Sequence, residues 1–203
     1  MKEYPLTAMV GYSDVVDAFS AMLCSPDLHS VLIAGGSGTG KSVAARASAQ
    51  LSGTRRVVNL PPSSDPGQIF GTLDLEEAIR TGRAERSDSV LSRADGNIIV
   101  IDDANLMRPS LLLGILDAVE EGIVMPETSS PYSIDAKIVC TMNPEEGEIE
   151  PHILDRFDMC VFIEPIADRD LRRDLCNRIA RRLRCERRGA RYTRIDLNDS
   201  IFK

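Results

Sequence analysis

Residues 35–42 read Gly35-Gly36-Ser37-Gly38-Thr39-Gly40-Lys41-Ser42, a full match to the pattern G-x-x-x-x-G-K-[ST]. In that pattern the backbone N–H groups of a glycine-rich turn point at phosphate oxygens. Lys41 reaches the β and γ phosphates, and the Ser42 hydroxyl ligates Mg²⁺. The implied ligands are ATP or a related nucleoside triphosphate and Mg²⁺. A glycine-rich turn before an ordinary helix is the alternative, and the flanks oppose it. Val31-Leu32-Ile33-Ala34 reads as a buried strand, and Val43-Ala44-Ala45-Arg46-Ala47 continues as a helix.

Three further positions have the chemistry to act on a triphosphate. Ile98-Ile99-Val100-Ile101-Asp102-Asp103 is an apolar strand with two carboxylates at its carboxyl end, where ligands sit in open parallel sheets. Asp102 is the candidate Mg²⁺ carboxylate and Asp103 the one that orients attacking water; a pair of turn aspartates is the alternative. Asn143 ends the strand Ile138-Val139-Cys140-Thr141-Met142 and precedes Pro144. Its amide suits the γ-phosphate or the water, unless it merely forms a turn. Arg156, in Leu154-Asp155-Arg156-Phe157, either pairs locally with Asp155 or Asp158 or serves as an arginine finger for a neighbouring subunit.

The elements that must position these groups alternate between strand and helix. Ser13 is placed to cap a helix over Asp14 to Leu23. Strands are expected at Val31–Ala34, Arg56–Leu60, Asn97–Ile101, Lys137–Met142 and Met159–Ile163. Ser63 to Gly96 reads as polar and irregular, with one short helix at Leu73 to Ile79. Pro109 suits the first turn of a helix carrying Leu111, Leu112, Ile115, Leu116 and Val119. A β-hairpin fits Ile123 to Ile134, a short helix Ile153 to Phe157, and a long helix Asp168 to Arg188. The alternation predicts a parallel sheet with helices on both faces.

With 203 residues the chain has the size of one α/β domain, able to bury roughly 70% of its unfolded surface. Net charge is −7, but residues 1–167 carry 12 basic and 25 acidic groups, while residues 168–203 carry 12 and 6. An acidic body disfavours nucleic acid as a partner. Cys24, Cys140, Cys160, Cys176 and Cys185 form no C-x-x-C pair, and Cys140 and Cys160 lie in apolar runs that read as buried. No signal peptide or membrane span is read from the sequence, so the expected setting is the cytoplasm.

The chain resembles AAA+ ATPases of the magnesium chelatase family. The resemblance rests on Tyr4-Pro5, Val10-Gly11-Tyr12, Gly71-Thr72-Leu73-Asp74-Leu75-Glu76, Thr141-Met142-Asn143-Pro144-Glu145-Glu146-Gly147-Glu148 and Leu154-Asp155-Arg156-Phe157. It covers about residues 4 to 180, and the Asn-Pro-Glu-Glu-Gly run is much narrower in distribution than the phosphate loop. It implies a P-loop NTPase fold with a five-stranded parallel sheet. Val10 and Gly11 would lie beside the adenine, Asn143 would be sensor 1 and Arg156 the finger. It further implies a homo-oligomeric ring, a hexamer, with the insertion around Gly71 to Ala94 and the hairpin facing the pore or partners. The partners would be a second ATPase-domain subunit and a porphyrin-binding subunit, in a complex that inserts Mg²⁺ into protoporphyrin IX for chlorophyll or bacteriochlorophyll synthesis.

Two departures bear on rate. Asp102-Asp103 stands where the family's active motor has Asp-Glu, and the helical lid with its sensor 2 arginine is expected to be missing or reduced. Both favour a subunit that hydrolyses slowly, so an ATP-binding scaffold of the same complex, or a related remodeller of a protein partner, stays open. The expected organisation is a nucleotide-binding domain at 1–167 and an arginine-rich helix and tail at 168–203. That helix reads as a solvated face over an apolar stripe, a contact to an acidic neighbour, or, less in keeping with its lack of aromatics, a nucleic-acid surface.

Overall fold

Five short apolar segments form one parallel sheet in the computed structural model, which describes residues 12–72, 88–171, 173 and 177. They are β1 (Ser30–Gly35), β2 (Val57–Asn59), β3 (Ile98–Ile101), β6 (Lys137–Met142) and β7 (Met159–Ile163), in the order β2-β3-β6-β1-β7. Every neighbouring pair is parallel. The short strands β4 (Ile123–Val124) and β5 (Tyr132–Ser133) pair antiparallel as the expected hairpin.

The three central strands are buried on both faces, which is why they read as unbroken apolar runs. Successive side chains nevertheless divide strictly between two cores. Leu32, Ala34, Ile99, Ile101, Ile138, Cys140 and Met142 meet Leu111, Leu112, Ile115, Leu116 and Val119 of the helix Pro109–Glu121. Val31, Ile33, Ile98, Val100 and Val139 meet Val15, Phe19 and Met22 of α1 (Ser13–Cys24) and Ala44 and Ala45 of α2 (Lys41–Ala47). Helix α2 passes almost directly into α3 (Ala49–Ser52), since Ser48 between them keeps helical angles.

Several local expectations are corrected. Ser13 is the first residue of α1 and not its cap; Tyr12 holds that position, and the Ser13 hydroxyl instead donates to Asp14 at 3.1 Å. The segment read as irregular contains α4 (Pro66–Phe70), with proline in its first turn, and α5 (Val90–Arg93), entered through a capping box of Ser89 and Ser92. Counting on, Pro109–Glu121 is α6, and α7 runs from Pro151 to Leu154, starting earlier than expected. Cys140 is buried, and burial, with the nearby Asp102 charge second, pushes its thiol well above the usual range. Cys160 is exposed, contrary to expectation, because β7 is an edge strand whose Cys160 and Phe162 face outward. The helix expected at Leu73 to Ile79 and most of Asp168 to Arg188 lie outside the described residues.

Two polar ties fix the amino-terminal edge of the sheet. Lys137, 4% exposed, donates to the carbonyls of Ser25, Pro26 and Leu28 at 3.2, 3.3 and 2.7 Å. These carbonyls follow the end of α1, so one ammonium satisfies a chain reversal that has no ladder partners. Asp158 Oδ2 accepts from the His29 and Ser30 N–H groups, both at 2.8 Å, and from the Ser30 hydroxyl at 2.9 Å. Edge strand β7 is thereby anchored at the start of β1.

Candidate functional site

Because β1, β3 and β6 are parallel and adjacent, the residues that follow them emerge at one edge of the sheet. The register pairs Ala34 with Met142 and Ile101 with Cys140. The glycine-rich loop after β1, Asp102-Asp103 after β3 and Asn143 after β6 therefore converge. They border a cleft of about 370 Å³ lined by Ser37, Gly38, Gly40, Lys41, Ser42, Val43, Asp103, Asn143 and Glu146.

Backbone demands explain the glycines where they matter most. A Cβ on Gly35 would lie 2.3 Å from the Ile163 carbonyl oxygen, so the close approach of β7 requires glycine there. Gly40, at φ 86°, is the left-handed residue from which α2 starts. A Cβ on Gly36 or Gly38 would meet nothing within 4 Å, so this stretch of loop opens away from the protein. Tyr12, buried, donates its hydroxyl to the Thr39 carbonyl, and Thr39 Oγ1 donates to Gly36 O at 2.9 Å. Burial pushes the Tyr12 phenol up, which keeps it a donor.

Lys41 is 6% exposed, and its ammonium donates to the Gly35 and Gly36 carbonyls, each at 2.8 Å. An ammonium has three protons, so the loop holds the charge in place and leaves one donor for a phosphate oxygen. Asn143 is also buried; its amide nitrogen donates to Glu146 Oε1 at 2.8 Å, and its amide oxygen accepts from the Glu145 N–H at 3.3 Å. The Asn-Pro-Glu-Glu run thus folds back as a compact turn on the cleft wall.

The two aspartates part company. Asp103 takes a left-handed backbone, φ 54° and ψ 54°, which aspartate tolerates better than most residues. Its N–H donates to Thr141 Oγ1 at 3.0 Å, and it lines the phosphate-side cleft. Asp102 instead forms an ion pair with Arg46 of α2 and accepts from Thr141 Oγ1 at 3.3 Å. It borders a neighbouring hollow of about 530 Å³ that Asp103 also touches. Sequence reasoning missed Arg46, Thr141 and Glu146 as parts of this site. The available signal for Arg46 was its position one helical turn after Ser42, on the same face.

Arg156 is not in this cleft. Its Nη1 lies 3.6 Å from Asp117 Oδ1 and 3.5 Å from Glu120 Oε2 of α6, with the side chain 48% exposed. Neither Asp155 nor Asp158 is its partner. Asp158, two residues on, is bound to the start of β1, so Arg156 belongs to the opposite edge of the sheet. Val10 and Gly11 lie outside the described residues. Their neighbour Tyr12 stands at a second cavity of about 370 Å³, walled by Val15, Val161, Ile163 and Ile166 between α1 and the end of β7.

The chemistry of the cleft fits Mg²⁺ carried with a triphosphate. A serine hydroxyl and a carboxylate are hard oxygen donors, and Mg²⁺ takes few protein ligands when phosphates and waters complete its shell. Among the described residues no three His, Cys, Asp or Glu side chains gather as a self-sufficient metal centre. A hollow of about 620 Å³ between α4, α6 and the hairpin presents, among the described residues, Asp117, Glu121 and Glu127 against Arg108, the wrong charge balance for phosphate. Among the described residues no helix is long and apolar enough to cross a membrane.

Residues 30–157 match the family profile described as AAA domain (dynein-related subfamily). A protein of Mycobacterium tuberculosis described as uncharacterized is 36% identical over 85% of this chain and 29% of its own length. The magnesium-chelatase subunit ChlI homolog of Methanocaldococcus jannaschii is 32% identical over 81% of this chain and 56% of its own. The magnesium-chelatase 38 kDa subunit of Acidiphilium rubrum is 30% identical over 88% and 64%. The chain thus spans less than two thirds of each of these relatives. Among solved structures, one from the complex between subunits BchI and BchD of magnesium chelatase superposes with a TM-score of 0.73 at 27% identity, covering 88% of this chain and 66% of that one. NtrX from Brucella abortus, solved with ADP, gives 0.61 at 18% identity over 89% of this chain and 42% of its own, a likeness of fold alone.

Proposed function

Because the chain belongs to the AAA domain family, dynein-related subfamily, we propose that it binds ATP with Mg²⁺ in the cleft above β1, β3 and β6 and hydrolyses it as a motor subunit of magnesium-chelatase type. The observation that carries this reading is the convergence of Lys41, Ser42, Asp103 and Asn143 on one cleft from three adjacent strands. Lys41 would donate to the β and γ phosphates from a position its own loop already fixes. Asp103 would accept a proton from, or orient, the attacking water, with the Asn143 amide beside it. Bound Mg²⁺ would neutralise charge on the phosphates, held on the protein side by Ser42 and the acidic pair. The base would occupy the cavity beside Tyr12.

Arg156 supports a multi-subunit reading. It stands at the sheet edge opposite its own phosphate cleft and half in solvent, a position from which it serves another subunit's nucleotide more readily than its own. A homo-oligomeric ring, of six subunits by family resemblance, follows. Its work would be Mg²⁺ insertion into protoporphyrin IX with a second ATPase-domain subunit and a porphyrin-binding subunit, in the cytoplasm. A second reading, an ATP-binding scaffold with little hydrolysis, is favoured by one feature: the cleft carboxylate is the short Asp103.

The test is single-turnover phosphate release from ATP by assembled protein, wild type and Asp103→Glu. Release in the wild type, raised in Asp103→Glu, is the motor result. Tight ATP binding without release in either protein would leave the scaffold reading in its place.

A further inference from the structure

Between Gly36 and Gly40 the phosphate loop takes one hydrogen bond from outside itself and its helix, among the described residues. The other ties are internal: Lys41 donates to the Gly35 and Gly36 carbonyls, and Thr39 Oγ1 to Gly36 O. The outside tie is the Tyr12 hydroxyl, which donates to the Thr39 carbonyl from 27 residues away in the chain. Tyr12 is a fixed anchor. Its carbonyl accepts the Val16 N–H at 3.1 Å as α1 begins, and its ring, 8% exposed, packs in the core with Val15 and Phe19. The fit to the loop is close, since a Cβ on Gly40 would lie 3.0 Å from the phenol oxygen. The same ring walls the cavity between α1 and the end of β7, so one side chain touches both halves of the proposed nucleotide site.

We propose that Tyr12 is a positioning residue: by holding the Thr39 carbonyl, it aims the Gly40 N–H at a phosphate oxygen of the nucleotide. The proposal rests on the reading of this cleft as a nucleotide site. The physical ground is the rigid peptide plane. Among the described residues every peptide bond is trans, so the Thr39 carbonyl and the Gly40 N–H point opposite ways. Drawing the carbonyl toward Tyr12 turns the N–H away from it, and Gly40 lines the phosphate-side cleft while Tyr12 does not. That N–H has no acceptor among the described residues. The loop has little stiffness of its own here, because Gly38 and Gly40 both stand at positive φ, 74° and 86°, and glycine rotates more freely than any other residue. A donor aimed before the ligand arrives loses less freedom on binding than one that must first be ordered.

The experiment compares the full wild-type chain with Tyr12→Phe, which keeps the ring and the cavity wall and removes only the hydroxyl. In competition with a fluorescent ATP analogue in Mg²⁺, ATP and inosine triphosphate should each bind about fivefold more weakly to the variant. The ratio of the two affinities should hold within about twofold, because the base side is untouched. Amide nitrogen–proton spectra give the local readout. On adding Mg²⁺–ATP the wild-type Gly40 amide proton should move downfield, as a donor to an anionic oxygen does, and in Tyr12→Phe the move should shrink to about half or less. Unchanged ATP affinity, a fall for ATP alone, or equal Gly40 shifts in the two proteins overturns the proposal. If Tyr12→Phe does not fold, the wild-type spectrum decides: a Gly40 amide that stays in place as Mg²⁺–ATP binds overturns the proposal, and a downfield move supports it. Wild type that binds no nucleotide overturns the reading of the cleft together with the proposal, whereas wild type that binds no better than Tyr12→Phe overturns the proposal alone.

Discussion

Replacing Thr141 by valine removes one hydroxyl and almost no volume at a position 0% exposed. That hydroxyl accepts the Asp103 N–H at 3.0 Å and donates to Asp102 Oδ1 at 3.3 Å. Valine leaves a partly buried N–H without an acceptor, which costs about 1–3 kcal/mol, and forfeits a long hydrogen bond to a carboxylate worth about 1 kcal/mol. Asp102 keeps Arg46, so its charge stays compensated. The expected loss is about 2–4 kcal/mol, or a fall in Tm of about 4–16 °C for a domain of this size. Thr141→Ser keeps both bonds and gives up one buried methyl, about 1 kcal/mol. Thermal unfolding followed by circular dichroism, with and without Mg²⁺ and ATP, reads both effects. The valine variant should also gain less stability from Mg²⁺–ATP than the serine variant, since Asp103 is no longer held in place. A Thr141→Val protein that melts as high as Thr141→Ser, with the same gain from ligand, would refute the reasoning.

Gly35→Ala places a Cβ 2.3 Å from the Ile163 carbonyl. It should cost at least the upper end of about 1–3 kcal/mol and cut the yield of folded protein; a wild-type melting curve would contradict this. Arg156→Ala gives up only half-exposed ion pairs to Asp117 and Glu120, so stability should change by less than about 1 kcal/mol. ATP affinity of the isolated chain should hold while hydrolysis by the proposed ring falls by about 10³ or more; weakened affinity in the isolated chain would mean the arginine acts within its own subunit. Lys137→Met removes the donor to three carbonyls after α1. It should destabilise by about 3 kcal/mol without altering nucleotide affinity, as read from denaturant unfolding and ATP titration.

Features set by local backbone demand were legible in the sequence. The glycine spacing at 35–40, the proline at 109 and the apolar runs of β1, β3 and β6 each state a requirement that neighbours cannot change. So the sheet, the loop and the placement of Asp103 and Asn143 at one edge could be read in advance. Long-range polar ties could not. Arg46 with Asp102, Lys137 with the turn after α1, and Asp158 with Ser30 join residues far apart in the chain, and nothing in composition pairs them. Helices α4 and α5 were missed because five and four residues are too few to show a period. Cys160 was misread because an apolar run looks the same in an edge strand as in a central one.

The most direct test of the account is isothermal titration of Mg²⁺–ATP into the wild-type chain and into Lys41→Ala. Lys41 is buried, held by two loop carbonyls, and the sole lysine among the described residues of the cleft lining. The account predicts one site per chain in the wild type and a loss of about 100-fold or more in affinity on removing a desolvated, charge-assisted phosphate contact. Equal affinity in the two proteins, with both folded, would contradict the claim that this cleft is where the nucleotide binds.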